Sequence, residues 1–282
     1  MYVDELSTVL LPTMHGQNIL PGLQRRPETL DYIARYYSQF EELRANGLDA
    51  LVITGANVAN PTLDQEPFWD PLMEVVDWAR SSVASTLCSC LATHAVLQFH
   101  YGQKRIPQPN KIWGVFAHRV VDNRHPLVND VNTRFDVPHS RWNAITRQQF
   151  DAAGLHVLVE SDTAGVHLAT SPDGLRLVFS QGHPEYDTIS LQKEFKREVM
   201  LYAAGKRADY PPFPHDYYHL REQAVLNEYR SRLEAALQSA EAIPDFPESL
   251  VAKRLDNTWH DTAEAVVGNW MGLIYQVTHN DR

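Results

Sequence analysis

The sequence predicts an α/β protein, a sheet with helices on its faces and further helices at the C-terminal end. Three observations carry this. Short continuous apolar runs, "LDALVITGA" (48–56) and "SVASTLCS" (82–89), end at turns, as strands buried on both faces do. Stretches with apolar residues three and four apart alternate with those runs. From residue 112 the texture changes to short strands separated by Gly, Pro, Asn and Asp, before helical spacing returns.

Taken in order, residues 27–46 place Leu30, Ile33, Tyr37, Phe40 and Leu43 on one face, which predicts an amphipathic helix stopped by Gly47. The strand 48–56 follows. Residues 66–81 predict a helix after Pro67, with Trp69, Leu72, Val76 and Ala79 facing one way. After the strand 82–89, residues 90–102 predict a helix capped by Gly102. "IWGVFAHRVV", "LHVLVES", "GVHLATS" and "LRLVFSQ" predict a meander or hairpins. A helix is expected from Thr188 to about Ala203, then a stiff proline-fixed tract, "DYPPFPHDYY" (209–218). Two helices near 219–241 and 262–277 close the chain, the second with Val266, Val267, Trp270, Ile274 and Val277 on its apolar side. The expected organisation is a single domain over 1–282, with 204–282 a helical extension packed on it.

The totals narrow the function. With 282 residues, 44% hydrophobic and 21% charged, the chain has the composition of an ordinary soluble globular protein. A net charge of −10 with no Lys/Arg-dense block argues against nucleic-acid binding. Two cysteines, Cys88 and Cys90, exclude a disulfide framework and fit a reducing compartment. "MYVDELSTVLLP" lacks the features of a signal peptide, and no apolar run is long enough to span a membrane, so a cytoplasmic location is expected. Thirteen histidines are present without H-E-x-x-H or a close Cys/His set, so no metal is expected.

One constellation carries chemistry. Cys90 lies where a strand gives way to a helix, a position that favours the thiolate and offers backbone N–H groups to an oxyanion. In "VFSQGHPEYDT" (178–188), His183 lies at another strand end, with Glu185 two residues on. Parallel strands gather their C-terminal ends on one edge, so Cys90, His183 and Glu185 can supply nucleophile, base and orienting carboxylate. Cys88, within its strand, reads as core.

The segments "LVITGANV", "FWDPLMEVVDWA", "STLCSCLATHAVLQFHYG", "NKIWGVFAHRV", "FDVPHSRW", "GHPEYDTISLQKEFKREV", "PPFPHD" and "GNWMGLIYQVT" run in this order through most of the chain. They resemble the homoserine O-acyltransferases, usually called homoserine O-succinyltransferases, of the class I glutamine-amidotransferase-like superfamily. The resemblance implies a flavodoxin-like three-layer sandwich with a mostly parallel central sheet and C-terminal helices. It also implies ping-pong acyl transfer in methionine biosynthesis, with acyl-CoA as co-substrate, no permanently bound cofactor, and a homodimer. Cys90 would carry the acyl group as a thioester, His183 would act as base and Glu185 would orient it. Lys111 and Ser140 fall on substrate contacts, and Arg197 on the position that holds the amino acid's carboxylate. Ala59 falls where the family's acyl preference is set: a small residue accompanies succinyl, glutamate acetyl. Homoserine is the family's usual acceptor, but serine is one methylene shorter, a difference worth only about 1 kcal/mol or a little more.

The chain also departs from the family pattern. Leu91 and His94 in "CLATHA" stand where relatives commonly carry Trp and Gln, and His94 would add a titratable group. Asn57 replaces a common proline, and the early "LNLMP" strand of relatives is expected to be missing. These departures leave a degenerate binding protein as the rival reading. A glutaminase is disfavoured because Cys90 lacks the flanking glycines of G-x-C-x-G.

Overall fold

A computed structural model of the chain describes residues 40–56, 58, 60–239 and 241–279, together with three two-residue strands earlier in the chain. The strands are β1 (Thr8–Val9), β2 (Gln17–Asn18), β3 (Tyr37–Ser38), β4 (Ala50–Ile53), β5 (Ser85–Ser89), β6 (Ile106–Val120), β7 (Arg134–Ala144), β8 (His156–Ser161), β9 (Gly165–Thr170) and β10 (Leu177–Ser180). The helices are α1 (Phe40–Asn46), α2 (Trp69–Ser82), α3 (Leu91–Tyr101), α4 (Arg147–Ala152), α5 (Ser190–Ala203), α6 (Leu220–Ser239), α7 (Glu248–Ala252) and α8 (His260–Thr278).

All the described strands join one sheet in the order β3-β2-β1-β4-β5-β10-β9-β8-β6-β7. Its centre is parallel: β4 pairs with β5, and β5 with β10. The β10–β9, β9–β8, β8–β6 and β6–β7 pairs are all antiparallel. The sheet is therefore parallel where the site lies and mixed over its full width. The connection between β8 and β9 is a short hairpin, which only antiparallel strands can use.

The residues of β4, β5 and β10 alternate between two cores, which explains their unbroken apolar runs. On one face Leu51, Ile53, Cys88 and Phe179 pack against Leu72, Val76 and Ala79 of α2, and against Ala95 and Val96 of α3. On the other face Ala50, Val178, Leu158 and Leu168 meet Trp270 and Ile274 of α8. A third core lies beside the sheet, where Trp113 and Val115 of β6 pack with Phe195 of α5 and Leu226, Tyr229 and Leu233 of α6. The tract 209–218 is fastened to β6: Val115 N–H donates to His215 O (2.8 Å) and His215 N–H to Trp113 O (2.9 Å).

Several expectations need correction. The helix expected over 27–46 begins only at Phe40, and Tyr37 and Ser38 are extended; positions 27–36, Leu30 and Ile33 among them, lie outside the described residues. Strand β6 starts at Ile106 rather than 112, with a register shift between Pro107 and Ile112 that accommodates the prolines. Strand β7 is an additional element. Its Pro138 breaks the strand pattern in the sequence, but β7 is the edge strand, where a missing N–H can face away from the ladder. On α8, Val277 is exposed rather than apolar-facing, because the contact with the sheet ends near Ile274.

Candidate active site

The site is built where β5 and β10 end. Their register pairs Ser89 with Ser180, so the residues that follow each strand emerge side by side. Cys90 stands at the start of α3 with φ 50° and ψ −110°, a backbone conformation that a residue with a Cβ seldom adopts. Three hydrogen bonds hold it there. Cys90 N–H donates to Ser180 O (2.7 Å), and the Thr93 hydroxyl donates to Cys88 O (2.6 Å) while accepting from Ser180 N–H (3.2 Å). Thr93, one turn into α3, thus fastens the cysteine's turn to the strand that leads to His183. The strained turn places Cys90, a partly exposed residue, between the two strand ends.

His183 reaches Cys90 from the neighbouring strand end. Its Nδ1 lies 2.8 Å from Glu185 Oε1, which leaves Nε2 to hydrogen-bond the Cys90 sulfur. His183 therefore contacts both Cys90 and Glu185, which links the three residues expected from the sequence to act together. Burial would push the Cys90 thiol up, but the His183 imidazolium beside it, with Arg141 adding positive charge, brings it below its ordinary value. Burial likewise opposes charge on His183, yet the Cys90 thiolate and the Glu185 carboxylate hold it well above the ordinary imidazole value. The two shifts run in opposite directions, and both favour the charged forms of the pair. Cys88 is the opposite case: wholly buried, its thiol is pushed up to about 12 by burial.

The first N–H groups of a helix have no carbonyl one turn back to bond. The Leu91 N–H is one of these, next to Cys90. Gly55, after β4, lies opposite: a Cβ there would sit 3.6 Å from Leu91 N and 3.7 Å from Cys90 Cβ. The bare glycine leaves room beside the sulfur for a reacting carbonyl.

Lys111 and Ser140 converge on a residue that the sequence did not single out. Glu194 of α5 accepts from Lys111 Nζ (3.1 Å) and Ser140 Oγ (2.6 Å) on one oxygen, and from Tyr186 O–H (2.7 Å) on the other. Burial raises its carboxyl, but the Lys111 charge and the three donors outweigh burial and hold it below the ordinary carboxylate range. The Lys111 ammonium also lies over the Trp113 ring, 4.5 Å from its centre. Tyr186 stacks on the His183 ring at 4.5 Å, so this cluster adjoins the triad directly. Arg197 is exposed, one turn further along α5, with Nε 3.9 Å from Glu198 Oε1. Ala59 and Asn57 lie outside the described residues. His94 is not the extra titratable group its position suggested. It is buried against Gln181 Oε1 (3.0 Å), and burial brings it down to about 3, so it stays neutral. The sequence signal for Glu194 was its place in "KEFKRE", three residues before Arg197 and hence on the same helix face.

The comparison with known proteins meets this geometry. A family model described as homoserine O-succinyltransferase matches residues 19–280. The chain belongs to the homoserine O-succinyltransferase family. Among the family's proteins, the homoserine O-succinyltransferase of Allochromatium vinosum is 64% identical over 263 residues, which cover 93% of this chain and 74% of that protein. The one from Nitrosococcus oceani is 59% identical over the same coverage. Among solved structures, a glutamine amido transferase from Methylobacillus flagellatus aligns with a TM-score of 0.49 at 12% identity, over 86% of this chain and 88% of that one.

Proposed function

We propose that the protein is a homoserine O-succinyltransferase that moves a succinyl group from succinyl-CoA to the hydroxyl of homoserine through a thioester on Cys90. The observation that carries this reading is the Cys90–His183–Glu185 contact, made at adjoining strand ends in a chain of this family. The thiolate attacks the thioester carbonyl of the donor, and the developing oxyanion meets the Leu91 N–H at the start of α3. Collapse expels the CoA thiolate, which takes its proton from the His183 imidazolium. Neutral His183 then accepts the hydroxyl proton of the incoming acceptor as that oxygen attacks the acyl-enzyme. The ester leaves, and the thiolate and imidazolium are restored. Glu185 keeps Nδ1 of the ring engaged throughout, so that Nε2 always faces the reacting atoms.

An amino-acid acceptor carries a carboxylate and an ammonium next to its hydroxyl-bearing side chain. Arg197 and Glu194, three residues apart on α5, offer the complementary charges, and a guanidinium fork suits a carboxylate. Lys111, Ser140 and Tyr186 hold Glu194 ionised for this purpose. The names of the relatives favour succinyl as the acyl group and homoserine as acceptor.

Initial-rate kinetics with both substrates varied test the reading. A covalent acyl-enzyme gives parallel double-reciprocal lines; intersecting lines would mean direct transfer and would remove Cys90 from its role. Serine in place of homoserine is expected to lower kcat/KM about tenfold or more, as one missing methylene in a fitted pocket does.

A further inference from the structure

Behind the triad lies a buried group of imidazoles, His118, His139 and His167, with Arg141 at its end, and the proposed chemistry does not use it. The hydrogen-bond directions within it are fixed from both ends. At one end His118 Nδ1 lies 2.8 Å from Phe116 O, a carbonyl that can only accept, so Nδ1 bears the proton. Burial brings His118 down to about 4, so the ring is neutral and its Nε2 carries a lone pair. That lone pair faces His139 Nε2 at 3.2 Å, which must therefore be N–H. At the other end Arg141 Nε–H donates to His139 Nδ1 (3.3 Å), which requires the same tautomer of His139. The two ends demand one arrangement, and Arg141 closes it at the end nearer the site's edge strand.

The chain bears directly on the base. The His139 ring lies against Gly182, where a Cβ would come within 2.9 Å of His139 Nε2 and 2.5 Å of Val137 Cγ1. Gly182 N–H donates to His167 Nδ1 (3.3 Å), and His183 N–H donates to Pro138 O (2.7 Å). The turn from which His183 projects is thus seated on β7 and on two neutral histidines. Arg141 is itself unusual. It is buried and donates to Asn143 O (2.9 Å) and to Ala164 O, yet among the described residues no carboxylate lies within ion-pair distance of it. A buried cation without a paired anion is costly: burial brings the Arg141 guanidinium down to about 10, and the charge of Cys90 offsets part of this.

We propose that Arg141 is the positioning residue of this site: it locks the His139–His118 chain that seats the His183 turn, and it places a fixed positive charge behind the turn whose His183 meets Cys90. The inference rests on Cys90 as nucleophile, but its test needs neither donor nor acceptor, so the two can fail separately. The titratable and charged groups that act on Cys90 are His183, Glu185, Tyr186, Arg141 and Arg105; those that act on Arg141 or feel its charge are Cys90, His139, His118, His167 and His94.

Two measurements decide it. Imidazole nitrogen shifts of the wild-type protein must show His139 protonated at Nε2 and unprotonated at Nδ1; the opposite tautomer, or a charged ring at neutral pH, overturns the proposal without any variant. The pH profile of Cys90 alkylation by iodoacetamide is then compared in folded variants. Arg141→Met is expected to move the midpoint up by about one pH unit, slowing alkylation below the midpoint about tenfold. Arg141→Lys, which keeps the charge, is expected to recover most of that shift. A folded Arg141→Met protein with the wild-type midpoint, changed only in melting temperature, would reduce Arg141 to a structural role.

Discussion

At the scale of single residues, two cysteines two positions apart do different things because one side chain points into the core and the other lies on a strained turn. Cys88 is closed off among apolar side chains and its thiol is pushed up to about 12. Cys90 faces an imidazolium and is held below its ordinary value. The native protein should therefore take up one iodoacetamide per chain, on Cys90, with a midpoint below that of an ordinary thiol. The sign follows from the lowered pKa: thiolate persists as pH falls until that depressed value is passed, and reactivity is lost only below it. A midpoint at or above the ordinary value, or a first adduct on Cys88, would contradict the assignment. The convergence of Cys90, His183 and Glu185 was legible in the sequence because each sits at a predicted strand end, where position alone limits what it can face. Glu194, Arg141 and His139 were not. Each works through partners distant in sequence, and a charged or imidazole side chain in a strand or helix reads by itself as solvated surface.

At the scale of elements, the strand–turn–helix of β5 and α3 and the strand–turn of β10 act as one unit, because Thr93 bonds to both strands. Thr93→Val keeps the shape of the side chain but removes hydrogen bonds to Cys88 O, Ser180 O and Ser180 N–H, all buried. Ser180 O keeps its bond from Cys90 N–H, but losing the other buried bonds should destabilise the protein by roughly 1–3 kcal/mol. Because the same groups hold Cys90 against His183, kcat should fall more than KM rises. Urea denaturation and steady-state kinetics of the one variant check both parts. Most elements were legible: β4, α2, β5, α3, α5, α6 and α8 fall within a few residues of their expected places, since apolar spacing is strong there. Strand β7 was not, because Pro138 and the polar run "PHSRW" hide the alternation of an edge strand. Yet β7 carries Ser140, Arg141 and His139, so the element hardest to read supports much of the site.

At the scale of the whole molecule, the arrangement joins a sheet covered on both faces to a lateral core of α5 and α6 against β6. Glu194 is the polar joint between them, linking α5 to Lys111 of β6 and Ser140 of β7. Glu194→Gln removes the charge on which these donors converge and should destabilise the fold by roughly 1–3 kcal/mol at neutral pH. The folded carboxyl is held below its unfolded value, so its contribution is complete above the unfolded value and is lost as pH falls through the folded one. The gap between wild type and variant should therefore close in acid, which denaturation curves at several pH values would show. Among the described residues no helix is long and apolar enough to cross a membrane.

The proposed chemistry turns on whether this molecule carries an acyl group on one sulfur. The direct measurement is the intact mass of the protein after mixing with succinyl-CoA in the absence of acceptor, for wild type and for Cys90→Ala. One succinyl increment is expected on the wild-type chain, none on the variant, and its discharge when homoserine is added. An increment that survives in Cys90→Ala, or none on folded wild-type protein, would contradict that chemistry.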